Sequence, residues 1–159
     1  MNHIYLLFTG GTLLQQYDVS TGKMMRSLTA DDILQQLKND KRIFLRNTFS
    51  FDAQEANVNI FPEHISLQSG AELSFETLFK LKLKIEELSR RNTENSTNQN
   101  EMGVVIITGT DALEEAAFAL DLLLDVSTPI VITGAMKPAD VLGYDGISNI
   151  RVSTVSSSF

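Results

Sequence analysis

Two threonines that follow glycines are the residues of this sequence best suited to hydroxyl chemistry. Thr12 closes the segment Thr9-Gly10-Gly11-Thr12, and Thr110 closes Thr108-Gly109-Thr110 with Asp111 directly after it. A glycine after a strand permits a tight turn and a close approach of a ligand, so the threonine that follows can present its hydroxyl there. A hydroxyl beside a carboxylate at a helix N-terminus can bind an ammonium group and stabilise a developing negative charge.

Both segments also have a purely structural interpretation, which spacing alone favours. Thr12 is then a solvated residue in a turn between a strand and a loop. Thr110 is then the N-cap of a helix, with Asp111 as an acid that complements the helix dipole. We expect neither His64, in a predicted loop, nor His3, before the first predicted strand, to be catalytic.

Composition excludes several other kinds of site. The 159 residues include no cysteine, which rules out a disulfide framework, a thiolate zinc site and a cysteine nucleophile. With two histidines in the chain, we expect no metal ion and no cofactor. The net charge of -7 argues against nucleic acid or an anionic membrane as a partner. No apolar run approaches the roughly 20 residues of a membrane-spanning helix, and no targeting signal is recognisable, so a cytoplasmic location is expected.

The elements that must position these threonines are buried strands. Three apolar runs without polar alternation each end in Thr-Gly, which is typical of strands covered on both faces of a parallel sheet. They are Ile4–Phe8, Val104–Ile107 and Ile130–Ile132, and a fourth strand is predicted around Asn57–Phe61. Strands that alternate with helices predict an α/β fold, a three-layer, doubly wound and mainly parallel sheet. The Thr-Gly turns then share the edge where such sheets bind ligands.

Three helices and two irregular segments complete the prediction. The helices are Ala30–Leu37, Phe75–Leu88 and Asp111–Leu124, with Thr29, Ser74 and Thr110 as their N-caps. Residues 90–101 have no apolar side chain, and they predict a solvated loop. Residues 151–159 predict a serine-rich tail, so the domain is expected to occupy residues 1–150.

The threonine segments and four others resemble, in order and spacing, the bacterial-type L-asparaginase family. The segments are Thr9–Thr12, Gly103–Glu115, Asp121-Leu122, Pro129–Pro138, Asp145-Gly146 and Asn149. The resemblance covers Ile4 to about Ile150 and implies the N-terminal α/β domain of that family. These enzymes hydrolyse the side-chain amide of L-asparagine, and some also that of L-glutamine, through an acyl-enzyme formed on a threonine.

The resemblance also implies roles for individual residues. Thr12 matches the nucleophile, Thr110 the second threonine, and Asp111 the acid that holds the amino group of the substrate. The residues assigned to substrate binding by the same resemblance are Gly11, Gly109, and Ser69 or Gly70. Tyr17 is a candidate for the tyrosine of the mobile loop, although the position nearest that tyrosine falls among Met24 and Met25.

Departures from the family pattern lower the expected activity. Thr108 stands where the family has a histidine, and the family's lysine would fall about one position beyond Phe159. The family's C-terminal domain is expected to be absent, so we expect an impaired L-asparaginase. The alternatives are an inactive remnant or amino-acid-binding module, and one half of a split amidohydrolase. The expected partners are the small-molecule substrate and either further copies of the chain or a missing C-terminal half.

Overall fold

A computed structural model describes residues 2–39, 58–66, 73–94 and 102–157, and a parallel sheet forms its centre. The strands of this sheet are β1 (Asn2–Phe8), β4 (Val58–His64), β5 (Met102–Ile107) and β6 (Ile130–Thr133). They lie in the order β4-β1-β5-β6, and every neighbouring pair is parallel. Because the strands are parallel, the turns that follow β1, β5 and β6 emerge at the same edge of the sheet.

Four helices cover the two faces of the sheet in the described ranges. They are α1 (Ala30–Asn39), α2 (Phe75–Glu94), α3 (Leu113–Leu123) and α4 (Gly146–Ser156). Helices α1 and α4 pack on one face, and α2 and α3 pack on the other, which makes the three layers that the sequence predicted. The prediction of an α/β fold with a parallel sheet is therefore confirmed.

Alternating side chains of the central strands contribute to two separate cores. Ile4, Leu6 and Phe8 of β1 point to the α1 and α4 face, where Ile33 and Ile150 are fully buried. Leu7 of the same strand points to the other face, with the buried residues Leu81 and Ile85 of α2. All six residues of β5 are buried, which explains its unbroken apolar sequence.

A two-stranded antiparallel hairpin lies outside the sheet. Its strands are β2 (Gln15–Asp18) and β3 (Lys23–Arg26), and Tyr17 is paired with Met24. The hairpin follows directly on the turn that carries Thr12. Its position is therefore relevant to the candidate site.

Side-chain caps begin two of the helices as predicted. At α1, the Thr29 hydroxyl accepts a hydrogen bond from the Asp32 amide at 3.2 Å, and the Thr29 amide donates to the Asp32 carboxylate at 2.8 Å. This reciprocal pair is a capping box with an aspartate as the acid. At α2, the Ser74 hydroxyl accepts from the Thr77 amide at 3.2 Å. Both hydroxyls satisfy amides that have no partner within the helix.

Some predicted boundaries were wrong. Helix α2 continues through Arg90–Glu94, where Arg90 lies near Glu94 and the Thr93 hydroxyl donates to the Ser89 carbonyl. Residues 95–101 of the predicted polar loop lie outside the described residues. His3 lies within β1 rather than before it, and His64 is the last residue of β4 rather than part of a loop.

Helix α4 also crosses the boundary predicted at residue 150. The serine-rich sequence is helical as far as Ser156, and two of its hydroxyls donate to carbonyls of the preceding turn. Thr154 donates to the Ile150 carbonyl at 2.8 Å, and Ser156 donates to the Val152 carbonyl at 3.0 Å. Ser157 then packs against Gly103, at the start of β5. Serine is a weak helix former in isolation, but here tertiary packing holds it in the helix.

Large apolar side chains remain exposed on the outer face of α2 and α3. They are Phe75, Phe79 and Leu83 on α2, and Phe118 and Leu122 on α3. The self-association that we expected from sequence is not tested by this surface and stays a prediction.

Candidate functional site

The three Thr-Gly turns lie side by side at the carboxyl edge of the sheet. The Thr9 amide donates to the Ile107 carbonyl at 2.9 Å, which joins the first turn to the end of β5. The Thr108 amide donates to the Thr133 carbonyl at 3.0 Å, which joins the second turn to the end of β6. Thr9 and Thr108 are buried, so these two threonines have a structural role at the beginning of their turns.

Glycines allow the turns to approach one another closely. Gly11 has a φ of 93°, and a Cβ atom at this position would lie 2.6 Å from the backbone nitrogen of Gly109. On the other side, a Cβ at Gly134 would lie 2.6 Å from the Thr108 carbonyl oxygen and 3.1 Å from Cγ2 of Thr110. The turn that carries Thr110 is therefore held between Gly11 and Gly134. The role predicted for Gly11 and Gly109 in substrate binding is not tested, but the close packing of both is clear.

Thr12 lies at the beginning of a short 3-10 turn, Thr12–Leu14. The Leu14 amide donates to the Gly11 carbonyl at 3.2 Å, and the Leu13 and Leu14 side chains are buried in the core. Thr12 itself is half-buried. Within the described ranges, its hydroxyl makes no hydrogen bond to the protein, so it is available to a ligand.

Thr110 and Asp111 do not cap a helix. The N-cap of α3 is Ala112, which makes no side-chain hydrogen bond, and the helix begins at Leu113. The structural interpretation of Thr110 as an N-cap is therefore wrong. Thr110 is half-buried, Asp111 is exposed, and neither side chain bonds another group in the part of the chain that the structure describes. Sequence spacing alone could not reveal this, because a Thr-Asp pair before a helix is also the pattern of a cap.

Tyr17 is exposed on the hairpin, and two other predicted site residues cannot be placed. A Cβ at Gly22 would lie 3.6 Å from the Tyr17 hydroxyl, so that hydroxyl lies beside the turn between β2 and β3. This turn is the end of the hairpin away from Thr12. Ser69 and Gly70 lie outside the described residues.

The loop between β6 and α4 is an ordered part of the site that sequence analysis left without a role. Asp145 accepts hydrogen bonds from the Met136 and Lys137 amides at 3.1 Å and from the Asn149 side-chain amide at 3.0 Å. Burial opposes ionisation of Asp145, but these hydrogen bonds outweigh it and hold its pKa below the ordinary value. The pattern Asp145-Gly146 with Asn149 was a signal in the sequence, although its spacing does not say what the side chains bind.

His64 lies at the same edge, at the end of β4. Its Nε2 atom accepts from the Ala30 amide at 3.3 Å, its Nδ1 atom lies 3.2 Å from an Arg26 nitrogen, and its ring contacts that of Phe8. Burial and the Arg26 charge lower the pKa of His64, against an opposing effect of Asp31. A neutral imidazole that accepts at the N-terminus of α1 has a structural role.

No metal-binding group and no membrane span is found in the described ranges. No three His, Asp or Glu side chains there converge as metal ligands would. Likewise, none of the helices in those ranges is long and apolar enough to cross a membrane.

Comparison with protein families shows which family this domain belongs to. Residues 3–158 match the family model described as Asparaginase, N-terminal. The chain belongs to the asparaginase family. The resemblance inferred from the threonine segments is therefore confirmed.

Individual asparaginase relatives match different lengths of the chain. A probable periplasmic L-asparaginase of Haemophilus influenzae is 29% identical over 150 residues, which is 93% of this chain and 36% of that protein. A probable L-asparaginase 4 of Schizosaccharomyces pombe is 35% identical over 99 residues, which is 62% of this chain and 26% of that protein. An L-asparaginase of Bacillus licheniformis is 31% identical over 98 residues, which is 62% of this chain and 28% of that protein.

A solved structure has the same asparaginase fold. The probable cytoplasmic L-asparaginase of Campylobacter jejuni superposes with a TM-score of 0.75 and 23% identity, over 100% of this chain and 42% of that one. At this identity the likeness shows the fold alone. The chain spans between 26% and 42% of the length of these four proteins.

Proposed function

We propose that this domain carries the threonine part of an amidohydrolase site that acts on the side-chain amide of L-asparagine. The single observation behind the proposal is the convergence of two threonine turns whose hydroxyls have no partner in the described ranges, with an exposed carboxylate beside one of them. If the two threonines were only solvated turn residues, their turns would not need the close packing of Gly11 on Gly109, which brings the two turns together. Membership of the asparaginase family supports the substrate class.

Each of the three side chains has a distinct role in this proposal. The Thr12 oxygen attacks the amide carbon, and its proton ends on the departing nitrogen, so that ammonia leaves and an ester remains. Water then cleaves the ester, which releases L-aspartate and returns a proton to Thr12. The Thr110 hydroxyl stabilises the charge that develops in each step, and Asp111 binds the ammonium group of the substrate.

Activation of the nucleophile limits the rate that we expect. A threonine hydroxyl is a weak nucleophile until a base removes its proton. Within the described ranges, the Thr12 hydroxyl has no hydrogen-bond partner that could remove its proton. We therefore propose that the described site binds the amino acid and turns it over slowly.

A titration with L-aspartate tests the site directly. Millimolar L-aspartate should shift the NMR signals of the Thr12 and Thr110 methyl groups, and Asp111→Asn should weaken this binding about tenfold or more. The matched control is Glu114→Gln, an exposed acid in the first turn of α3, which should bind as the unchanged chain does. The proposal fails if no signal shifts, or if both variants bind alike.

Binding without turnover is the second candidate function, and an ammonia assay separates the two. The partnerless hydroxyls of the described ranges favour a ligand site whether or not a base is present. L-asparagine and L-glutamine should each be offered, with Thr12→Val and Thr12→Ser as the matched pair. Catalysis by Thr12 is supported if Thr12→Val abolishes ammonia release and Thr12→Ser retains part of it. No release from the unchanged chain, together with L-aspartate binding, supports the binding module.

A further inference from the structure

The loop between β6 and α4 holds the chain directly after Thr12 at three alternate residues. The Tyr144 hydroxyl donates to the Leu13 carbonyl at 2.9 Å. The Ala139 amide donates to the Gln15 carbonyl at 2.9 Å, and the Tyr17 amide donates to the Asp140 carboxylate at 2.9 Å. Gln15 and Tyr17 are alternate residues of β2, so their backbone groups point the same way, whereas Leu13 belongs to the 3-10 turn before the strand. The loop therefore binds the edge of β2 that β3 leaves open.

The hairpin depends on this loop because a two-stranded ribbon is marginal by itself. An isolated hairpin in water has little stability without a third strand or a packed helix. Strand β2 pairs with β3 through four residue pairs, and most of β3 is exposed. The bonds of Ala139 and Asp140 to β2 supply partners that a third strand would otherwise provide, and the Tyr144 bond holds the turn just before β2.

Side-chain hydrogen bonds anchor the beginning of the loop. Asp145, at the end of the loop, accepts from the Met136 and Lys137 amides, and Asn149 of α4 donates to the Gly134 carbonyl. The Tyr144 ring lies over Gly146, where an added Cβ would clash with it. Burial, with a smaller effect of the Asp145 carboxylate, raises the pKa of Tyr144, so its hydroxyl remains a donor.

We propose that Tyr144 and Asp140 are positioning residues for Thr12. Tyr144 fixes the carbonyl of the residue next to Thr12, and Asp140 fixes the hairpin that follows. The proposal rests on the proposed function for the chemistry of Thr12. It adds two residues that do not touch substrate and that act through the backbone of Leu13 and Tyr17.

The two residues should have separable effects. Tyr144 is half-buried and acts one peptide from Thr12, so its loss should disturb the threonine itself. Asp140 is exposed and acts five residues after Thr12, so its loss should free the hairpin and leave the Thr12 turn nearly unchanged. If the two residues contributed only to overall stability, their loss would not affect the Thr12 turn and the hairpin separately.

NMR spectroscopy of the 159-residue chain tests the proposal without any need for activity. Tyr144→Phe should shift or broaden the Thr12 methyl signal. Asp140→Ala should speed hydrogen exchange of the Tyr17 amide about tenfold or more, whereas Asp140→Asn retains an acceptor oxygen and should restore most of the protection. The matched control is Tyr5→Phe, because the Tyr5 ring stacks on Phe61 on the other face of the sheet.

The outcomes separate this proposal from the proposed function. Positioning is overturned if Tyr144→Phe leaves the Thr12 methyl unchanged, or if Tyr17 exchange is the same in Asp140→Ala as in the unchanged chain. The proposed function is overturned instead by the Asp111→Asn titration, whatever these signals do. If the chain releases ammonia, Tyr144→Phe should lower kcat at least tenfold with KM within about twofold, and Tyr5→Phe should change neither.

Discussion

The turns that carry Thr12 and Thr110 are neighbours, but they are held by different means. The Thr12 turn has two glycines of positive φ, Gly10 at 122° and Gly11 at 93°, and hydrogen bonds from a loop far along the chain. The Thr110 turn has no residue of positive φ and no side-chain hydrogen bond from Thr110 or Asp111 among the described residues. It is held by backbone packing between Gly11 and Gly134 and by the hydrogen bond from the Thr108 amide to the Thr133 carbonyl.

This difference indicates how each turn tolerates change. A turn held by conformation and hydrogen bonds can lose one bond and relax locally. A turn held by close backbone packing has no room to relax, because any added atom must displace its neighbours. The following changes test whether the two turns differ in this way, in order of decreasing expected effect.

Gly11→Ala should have the largest effect because it disturbs both turns. The new Cβ requires a strained φ and lies 2.6 Å from the Gly109 nitrogen, so unfolding should become easier by about 4 kcal/mol. The matched control is Gly22→Ala, whose φ is also positive, at 66°, but whose nearest atom lies 3.6 Å away. It should cost about 1–2 kcal/mol, from conformation alone. Equal losses in urea unfolding would mean that the contact with Gly109 contributes nothing.

Gly134→Ala should disturb the Thr110 turn by packing alone. Its Cβ would lie 2.6 Å from the Thr108 carbonyl oxygen, which predicts a loss of about 2 kcal/mol in the free energy of unfolding. The NMR signals of Thr110 and Asp111 should move more than that of Thr12, and urea unfolding measures the loss. A larger shift at Thr12 than at Thr110 would contradict the separation of the two turns.

The smallest expected effect is a pH dependence of the stability of the domain. It arises from His64, which lies at the carboxyl edge of the sheet beside β1. Its pKa in the folded chain lies below the ordinary value of 6.5, so the unfolded chain binds the proton more readily. The corresponding stability is complete above pH 6.5 and is lost as the pH falls from there towards the folded pKa. His64→Gln should flatten the decline of the urea midpoint below pH 6.5. An unchanged slope in His64→Gln would contradict the prediction.

The four strands of the parallel sheet were predictable from sequence, because burial on both faces leaves a strong signal, whereas the exposed hairpin strands β2 and β3 were not predicted. Unbroken apolar runs such as Val104–Ile107, each followed by a turn, are typical of the interior of a parallel sheet. Helix ends were less readable. Arg90–Glu94 is polar throughout, yet it continues α2, and polarity by itself does not distinguish such a helix from a loop.

The sequence predicted which residues could form the site, but it did not predict the contacts that these residues make. The sequence singled out Thr12, Thr110 and Asp111, but it could not exclude a cap, since that depends on where α3 begins. Asp140 and Tyr144 were missed because their partners lie more than 120 residues away along the chain, at Tyr17 and Leu13. No local pattern encodes bonds of such separation.

Within the described ranges, the hydroxyls of Thr12 and Thr110 have no hydrogen-bond partner in the protein. The residues that hold the backbone of the site are therefore different from the residues proposed to react. The side chains of Thr12, Thr110 and Asp111 make no hydrogen bond or ion pair among those residues, whereas Gly11, Gly109 and Gly134 set the spacing of the turns. We therefore expect that these side chains can be exchanged with little change in the backbone. Such a domain is a convenient scaffold for redesign, because new reactive side chains at these three positions would be held by the same backbone.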